Sequence, residues 1–179
     1  MTSQVCNFLN IAYINIKGQT GLHLSKQLQI EHFIQINDID ILHCQEIDIQ
    51  EDTFDECNYI NACYNIISNN SQNKYGTATI VKNEFYVENI GFDSKGRVII
   101  FDIENITFGN CYLPSGTDAS ARSSREKYFS EIIPNMLINT KDDGIIGGDF
   151  NCILENIDAT KNPESKFSPC LKRIVGTFQ

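Results

Sequence analysis

Residues 76–113 contain four short apolar segments, rich in β-branched residues, that are separated by short polar turns. Segments of this length and composition predict β-strands, and connections this short predict an antiparallel meander. The four predicted strands are Gly76–Val81, Phe85–Phe92, Arg97–Glu104 and Ile106–Leu113. The chain is therefore expected to contain a substantial antiparallel sheet.

The segments outside this region mix strands with helices. Apolar runs predict further strands, and apolar residues at helical spacing predict two long helices. The predicted strands are Phe8–Ile16, Asp38–Cys44, Tyr64–Ser68 and Gly144–Gly148, and the predicted helices are Leu22–Ile36 and Ser120–Leu137, with another beginning at Leu171. This order fits a two-sheet α/β sandwich better than a doubly wound parallel sheet, within a single domain of residues 1–179.

Composition restricts the class of protein. A chain of 179 residues is long enough to bury one sizeable core. It has no apolar run of transmembrane length and no signal peptide, which predicts an intracellular protein, nuclear or cytoplasmic, with no membrane partner. Its seven cysteines form no Cys-x-x-Cys motif, which predicts reduced thiols rather than a structural zinc site. The formal net charge of -9 shows no overall basic face, but it is compatible with a site that collects a divalent cation.

Polar side chains stand where four of the predicted strands end. These strand ends are Tyr13–Gly18, His43–Glu46, Asn110–Pro114 and Gly148–Asn151. In open α/β sheets, such ends gather in one crevice where ligands bind. Four polar strand ends in order therefore predict a functional site.

The last of these ends has the sequence Gly147-Gly148-Asp149-Phe150-Asn151. An apolar run that reaches two glycines predicts a buried strand that breaks into a loop. In extended backbone, Asp149 and Asn151 leave the same face, so a carboxylate and a carboxamide point at one target. Such a pair suits the activation of water beside a phosphate, although Gly-Asp-x-Asn is also an ordinary turn.

With these four strand ends in order, the chain resembles the endonuclease/exonuclease/phosphatase family, which includes deoxyribonuclease I and the exonuclease III-type apurinic endonucleases. Within that family it is most similar to the endonuclease domains of LINE-type non-LTR retrotransposons, through Tyr112–Asp118 and Asp158–Ser165. The resemblance covers the whole chain and implies a deoxyribonuclease I-like sandwich. It also implies DNA as the partner and a downstream reverse transcriptase domain in the full-length protein.

The resemblance implies a Mg²⁺ or Mn²⁺ ion with Glu46 as its principal carboxylate ligand. Mg²⁺ takes few protein carboxylates and keeps waters and substrate oxygens. Asn15 is implied to hold that carboxylate or a phosphate oxygen, and Tyr112 to reach the scissile phosphate with its hydroxyl. Asp149 is implied to orient or deprotonate the attacking water, and Asn151 to support the transition state and to position Asp149.

Three arginines are weaker candidates for contact with DNA. Arg97 begins a predicted strand, and Arg122 and Arg125 lie near the start of the second long helix. Each could face a phosphate of the DNA backbone, and an ordinary solvated position on the surface is the alternative.

The chain departs from the family pattern in one respect. The family pairs a late Asp with a His in a Ser-Asp-His signature, and that pair orients the phosphate. None of His23, His32 and His43 follows Asp149. The resemblance therefore implies a domain that is missing its C-terminal strands, and an activity that is very low or absent in this chain.

Two alternatives stay open from the sequence. The same fold serves phosphoinositide and sphingomyelin phosphodiesterases, because a fold does not fix its substrate. A chain without the late His could also be a non-catalytic relic or a binding module, and its net acidity disfavours DNA binding. The leading interpretation is a metal-dependent endonuclease of retrotransposon type that nicks DNA.

Overall fold

The computed structural model describes residues 8–18, 22–50, 53–70, 75–154 and 168–171. Within these residues the chain forms eight strands, four α-helices and one π-helical turn, and residues 169–171 are part of a further helix. The strands are β1 (Ile11–Asn15), β2 (Ile41–Ile47), β3 (Tyr64–Asn69), β4 (Gly76–Lys82), β5 (Val87–Phe92), β6 (Val98–Ile103), β7 (Ile106–Tyr112) and β8 (Asp143–Asp149). The helices are α1 (Leu24–Ile36), α2 (Asn58–Cys63), α3 (Ala119–Lys127) and α4 (Ile133–Met136), with the π-helical turn at Tyr128–Ile132.

The strands form two four-stranded sheets. The first sheet has the order β1-β2-β4-β3 and the second the order β5-β6-β7-β8. Strands β1 and β2 run parallel, as do β7 and β8, whereas the other neighbouring strands are antiparallel. The predicted two-sheet α/β sandwich is therefore confirmed.

The predicted four-strand meander is wrong at its first step. Only β5, β6 and β7 form a meander, because β4 pairs with β2 and β3 in the other sheet. A short connection fixes only how far apart two strand ends lie. The facing sheet of a sandwich is about 10 Å away, which a connection of four residues can span. The chain crosses between the sheets after Lys82.

Apolar residues pack in three layers. The core between the sheets includes Ile41 and Phe101, the core under α1 and α2 includes Ile34, and the core under α3 and α4 includes Phe129. Each sheet therefore buries both faces, one against the other sheet and one against helices. This arrangement explains why β4 and β6 contain so few exposed residues.

A pair of buried amides also crosses between the sheets. Gln45 Nε2 donates to Asn110 Oδ1 at 2.8 Å. Asn110 Nδ2 then donates to the carbonyl oxygens of Cys44 at 3.1 Å and Ala78 at 2.9 Å. Buried polar groups of this kind are costly unless they are paired, so the bonds fix the register of β7 against β2 and β4.

The second predicted long helix is interrupted. Between α3 and α4, the N–H of Ile133 bonds to the carbonyl of Tyr128, five residues earlier. Pro134 has no N–H, and its ring would clash with the carbonyl four residues before it in a regular α-helix. The wider π-helical turn directly before Pro134 removes that clash.

Further predictions concern the cysteines, membrane-spanning segments and the residues after Asn151. The six cysteines within the described residues form no disulfide. Among the helices described, none is long and apolar enough to cross a membrane. Residues 169–171 are helical, and the rest of the helix predicted from Leu171 lies outside the described residues, as does the segment Asp158–Ser165.

Candidate active site at the strand ends

The two parallel strand pairs end beside each other. Asn15 is the last residue of β1, and Tyr112 and Asp149 are the last residues of β7 and β8, where they pair directly. Glu46 lies one residue before the end of β2, next to the register partner of Asn15. Because β1 packs against β8, these four side chains from both sheets meet at one edge of the sandwich.

One side-chain amide joins the two carboxylates. Asn15 Nδ2 donates to Glu46 Oε1 at 2.9 Å and to Asp149 Oδ2 at 2.7 Å. The two carboxylate oxygens are thus no farther apart than these two bonds laid end to end. Asn15 Oδ1 accepts from the backbone N–H of Lys17 at 2.7 Å, which fixes the orientation of the amide.

Glu46 reaches the site through a β-bulge. The pairing of β2 with β4 shifts between Gln45 and Ile47, and Glu46 lies at the shift with a φ of 54°. A bulge turns a side chain away from the alternation of the strand. Glu46 is therefore partly exposed, whereas the strand residues on either side of it are buried.

Tyr112 is held as a protonated donor beside these carboxylates. Burial raises the pKa of the Tyr112 hydroxyl, the nearby Glu46 charge raises it further, and the Arg97 guanidinium acts in the opposite direction. The Arg97 guanidinium carbon lies 5.2 Å from the centre of the Tyr112 ring, and Arg97 Nη1 donates to the Tyr112 carbonyl at 3.1 Å. Arg97 therefore packs against Tyr112 beside the candidate site.

Asp149 is oriented from its own loop. Its Oδ1 accepts from the backbone N–H of Asn151 at 3.0 Å, and its carbonyl accepts from the N–H of Leu113 at 2.9 Å. Asn151 Nδ2 donates to the Leu113 carbonyl at 2.9 Å, so this amide ties the ends of β7 and β8 together. Asn151 thus contacts Asp149 through its backbone N–H and Leu113 through its side chain, and its role in positioning Asp149 stays a prediction.

The last strand was predicted to break into a loop after Gly148, whereas β8 continues through both glycines to Asp149. A Cβ at Gly147 would lie 2.6 Å from the Tyr13 ring, and one at Gly148 would lie 2.0 Å from the Cys111 carbonyl oxygen. Gly148 also has a φ of 132°, where a side chain is strained. The pair therefore lets β8 approach β1 and β7 closely enough to deliver Asp149.

The donor set fits a hard divalent cation. The two carboxylates supply oxygen ligands, whereas the Asn15 amide faces them with its Nδ2 donor, and Mg²⁺ binds through one or two carboxylates plus water and substrate oxygens. The described part of the chain contains no group of three or more His, Cys, Asp and Glu residues suited to a metal ion. Any ion at this edge would thus be held by Glu46 and Asp149, with Asn15 orienting both.

The other two predicted DNA-contacting arginines differ. Arg122 is exposed on α3. Arg125 is 1% exposed, and its Nη1 donates to the carbonyls of Pro114 at 2.8 Å and Gly116 at 2.9 Å. A buried guanidinium with these partners is not presented to a phosphate, so the prediction for Arg125 is corrected to a structural one: it holds the loop that follows β7.

Two cavities adjoin the site, and their lysines were missed by the sequence reasoning. A cavity of about 450 Å³ next to Asn15 is lined by Lys17 and Lys26. A second cavity, of about 340 Å³, is lined by Lys95, Arg97 and the acidic Asp118, together with Ser115, Ser120, Ser124 and Tyr128. The sequence signal for these lysines was weak, since only Lys17 follows a polar strand end, whereas Lys26 lies in α1 and Lys95 in the turn before β6.

The histidines take no part in this arrangement. His43 is fully buried, lies 2.9 Å through Nδ1 from Thr79 Oγ1, and stacks on Tyr13 with ring centres 4.5 Å apart. His23 and His32 are exposed at the start and on the surface of α1. His43 is thus a core residue, and His23 and His32 are surface residues.

Neither family profiles nor curated protein sequences match the chain. Solved structures do match it. An AP endonuclease from Archaeoglobus fulgidus is 21% identical over 93% of this chain and 68% of its own, with a TM-score of 0.69. The 3′-5′ exonuclease NExo from Neisseria meningitidis is 18% identical over 93% of this chain and 70% of its own, with a TM-score of 0.69. Truncated TDP2 from Caenorhabditis elegans is 19% identical over 87% of this chain and 66% of its own, with a TM-score of 0.61.

The chain has the DNase I-like fold. At these identities the likeness concerns the fold alone, and the chain spans about two thirds of the length of these proteins. Within the DNase I-like fold, this chain places its four polar strand ends at the shared edge of the two sheets.

Proposed function

We propose that the chain is a metal-dependent phosphodiesterase domain that acts on DNA. The observation that carries the proposal is the Asn15 amide shared between Glu46 and Asp149. It brings carboxylate oxygens from both sheets together beside the Tyr112 hydroxyl. The proposal is supported by two proteins of the same fold, since NExo was solved with a product DNA hairpin and TDP2 from D. rerio with a single-strand DNA product.

Each residue would have a separate role. Glu46 and Asp149 would hold a Mg²⁺ or Mn²⁺ ion, which supplies charge stabilisation at the phosphate when bound. Asp149 would orient and deprotonate the attacking water, and Tyr112 would donate its hydroxyl to a phosphate oxygen without adding charge. Asn15 keeps the two carboxylates in place, and Asn151 orients Asp149.

The basic residues in the two cavities favour a long polyanion over a small phosphate ester. One cavity adjoins Asn15 on the first sheet, and the other adjoins Arg97 on the second sheet. A nucleic-acid strand carries a charge at every phosphate and can use both cavities at once. A phosphoinositide or sphingomyelin headgroup is too small to gain from both, so we place these lipids second.

The finer assignment, also a proposal, is a LINE-type endonuclease that would act with a reverse transcriptase domain of the full-length protein. It rests on the sequence of Tyr112–Asp118 and on Asp158–Ser165. Because none of the chain's three histidines reaches the site, we expect a very low rate of nicking from these 179 residues alone.

Metal binding tests the site independently of turnover. We expect Mn²⁺ added to the protein to broaden the NMR side-chain amide signals of Asn15, and the broadening to be lost in Glu46→Gln. Glu88→Gln, which changes an exposed glutamate on β5, is the matched control and should bind Mn²⁺ as the parent does. Parent protein that folds but shows no Mn²⁺ effect at Asn15 would disprove the assigned role of Glu46.

The substrate class can be tested by measuring turnover of supercoiled plasmid, abasic duplex DNA and inositol phosphates, each with Mg²⁺. A trace of nicking that disappears in Asp149→Asn supports the DNA assignment. Turnover of inositol phosphates with none of DNA would move the protein to the lipid-directed alternative. Robust Mg²⁺-dependent nicking that is lost in Asp149→Ala would overturn the expectation of a low rate. Absence of turnover on every substrate, with metal bound, would identify a non-catalytic relic or binding module.

A further inference from the structure

Asp93, directly after β5, is a buried carboxylate that organises the turn leading to β6. It is 8% exposed. Its Oδ1 accepts from the backbone N–H groups of Arg97 at 2.7 Å and Val98 at 2.8 Å. Its Oδ2 accepts from the Tyr128 hydroxyl at 2.8 Å and from the N–H of Lys95 at 3.2 Å. Charged acceptors make the stronger hydrogen bonds, so the turn is fixed from both ends and from the π-helical turn above it.

The same carboxylate is reached from the other sheet. Asn69, the last residue of β3, donates through Nδ2 to Asp93 Oδ1 at 3.2 Å and to the Asp93 carbonyl at 3.2 Å. Asn69 Nδ2 is also 3.0 Å from the Val98 carbonyl. Asp93 therefore joins the first sheet, the β5–β6 turn and the helical layer at one point.

The turn ends in the arginine that contacts the candidate site. The Asp93 carboxylate accepts from the backbone N–H of Arg97. The Arg97 guanidinium lies over the Tyr112 ring and donates to the Tyr112 carbonyl. In the other direction, the Tyr112 N–H donates to the Arg97 carbonyl at 2.8 Å. The direction of the guanidinium thus follows from a backbone that Asp93 fixes.

We propose that Asp93 is a positioning residue of the candidate active site, which holds the 93–97 turn so that the Arg97 guanidinium stays on the Tyr112 ring. The inference deepens the proposed function, because Tyr112 belongs to that site and Arg97 packs against it. It gives a function to a buried charge that contacts neither the carboxylates nor Asn15.

The contact between Arg97 and Tyr112 can be read by NMR without metal or DNA. A guanidinium on an aromatic face experiences the ring current, so the Arg97 Nε–Hε signal should lie upfield. The chain has only four arginines, and Arg97→Lys identifies the signal by its loss. Tyr112→Leu defines the position without the ring. We expect Asp93→Asn to lose at least half of this upfield displacement, because an amide cannot accept on both sides.

A matched control separates positioning from general destabilisation. Asp102, on β6, is also a buried aspartate, and it accepts from Asn89 Nδ2 at 2.8 Å and Thr107 Oγ1 at 2.6 Å. We expect Asp102→Asn to leave the Arg97 signal in place even if it lowers the melting temperature. An unchanged Arg97 signal in folded Asp93→Asn, or an equal change in Asp102→Asn, would overturn the inference.

A second variant keeps the test open if Asp93→Asn does not fold. Asn69→Ala keeps the carboxylate and removes only the donor from the first sheet. We expect it to reduce the upfield displacement by a smaller amount, and a parent-like signal in this variant would then count against the inference. Failure of the proposed function would be seen separately as absence of Mn²⁺ binding, with the Arg97 signal unaffected.

Discussion

At the scale of single residues, the site depends on a neutral amide between two acids. A carboxamide has two N–H donors on one nitrogen, and Asn15 uses them for Glu46 and Asp149. Aspartate has nearly the same shape but would place a third negative charge against the first two. The chemistry of the site therefore requires asparagine at the end of β1, and the surrounding bonds orient it so that it can serve both carboxylates.

His43 makes the stability of the protein depend on pH. Burial lowers the pKa of His43 from 6.5 to about 3. Below pH 6.5 the unfolded chain therefore binds a proton that the folded chain does not. This group's contribution to stability is complete above pH 6.5 and is lost as the pH falls toward 3. The loss amounts to about 1.4 kcal/mol per pH unit within that window.

We expect His43→Phe to flatten this dependence. The measurement is the free energy of unfolding in urea at several values between pH 6.5 and 4, with the slopes compared rather than the stability at one pH. His32→Asn, which removes an exposed imidazole on α1, is the control. Parallel slopes for the parent protein and His43→Phe would show that His43 is protonated in the folded state.

At the scale of elements, the bulge in β2 decides whether Glu46 reaches the site. Its φ of 54° is a left-handed conformation that costs a residue with a Cβ roughly 1–2 kcal/mol, whereas glycine adopts it freely. We therefore expect Glu46→Gly to be more stable than Glu46→Ala by about 1 kcal/mol in urea unfolding.

The same pair of substitutions at Glu88 provides the comparison. Glu88 is exposed on β5 and is not among the residues with positive φ. There glycine should be the less stable variant by about 0.5–1 kcal/mol. If alanine were also the more stable substitution at Glu46, the strained bulge would not exist in solution.

At the scale of the whole molecule, the buried amide pair holds the two sheets in register. Gln45→Leu or Asn110→Leu leaves the partner's polar atoms buried without a bond, which costs about 1–3 kcal/mol each. The double variant should lose less than the sum of the two, since neither amide is then left alone. A double-mutant cycle in urea measures this coupling, with exposed Ser68→Ala as control. Strictly additive losses would contradict a direct bond between the sheets.

The distribution of charge should be visible in DNA binding. The chain has a net charge of -9, so binding must rely on local cations such as Lys17 and Lys26. Each lysine that contacts a phosphate contributes about 1 to the slope of log K against log salt concentration. We expect Lys17→Ala with Lys26→Ala to reduce that slope by about 2. Lys127→Ala on exposed α3, where the lysine lies 3.8 Å from Glu131, should leave it unchanged. Equal slopes in the Lys17→Ala/Lys26→Ala variant and in Lys127→Ala would show that DNA does not contact the first cavity.

Much of the fold could be predicted from the sequence because burial leaves a local pattern. The strands and the helix α1 were placed to within a few residues, since apolar periodicity reports which side of a segment is covered. The sheet that β4 joins was mispredicted, and the π-helical turn was not predicted. Both depend on what a segment packs against, which its own pattern does not contain.

For the candidate site, too, some features follow from the sequence and others only from the tertiary structure. The sequence by itself determined the chemical types at the strand ends, because a polar residue that closes an apolar strand is a local feature. Only the tertiary structure decided which of these residues meet. Asn15 contacts partners 31 and 134 positions away, and a bulge aims Glu46 at the same point. The structure likewise separated Arg97, which lies on Tyr112, from Arg125, which is buried under a loop. Burial preference belongs to one residue, but a contact belongs to two, and only folding brings distant residues together.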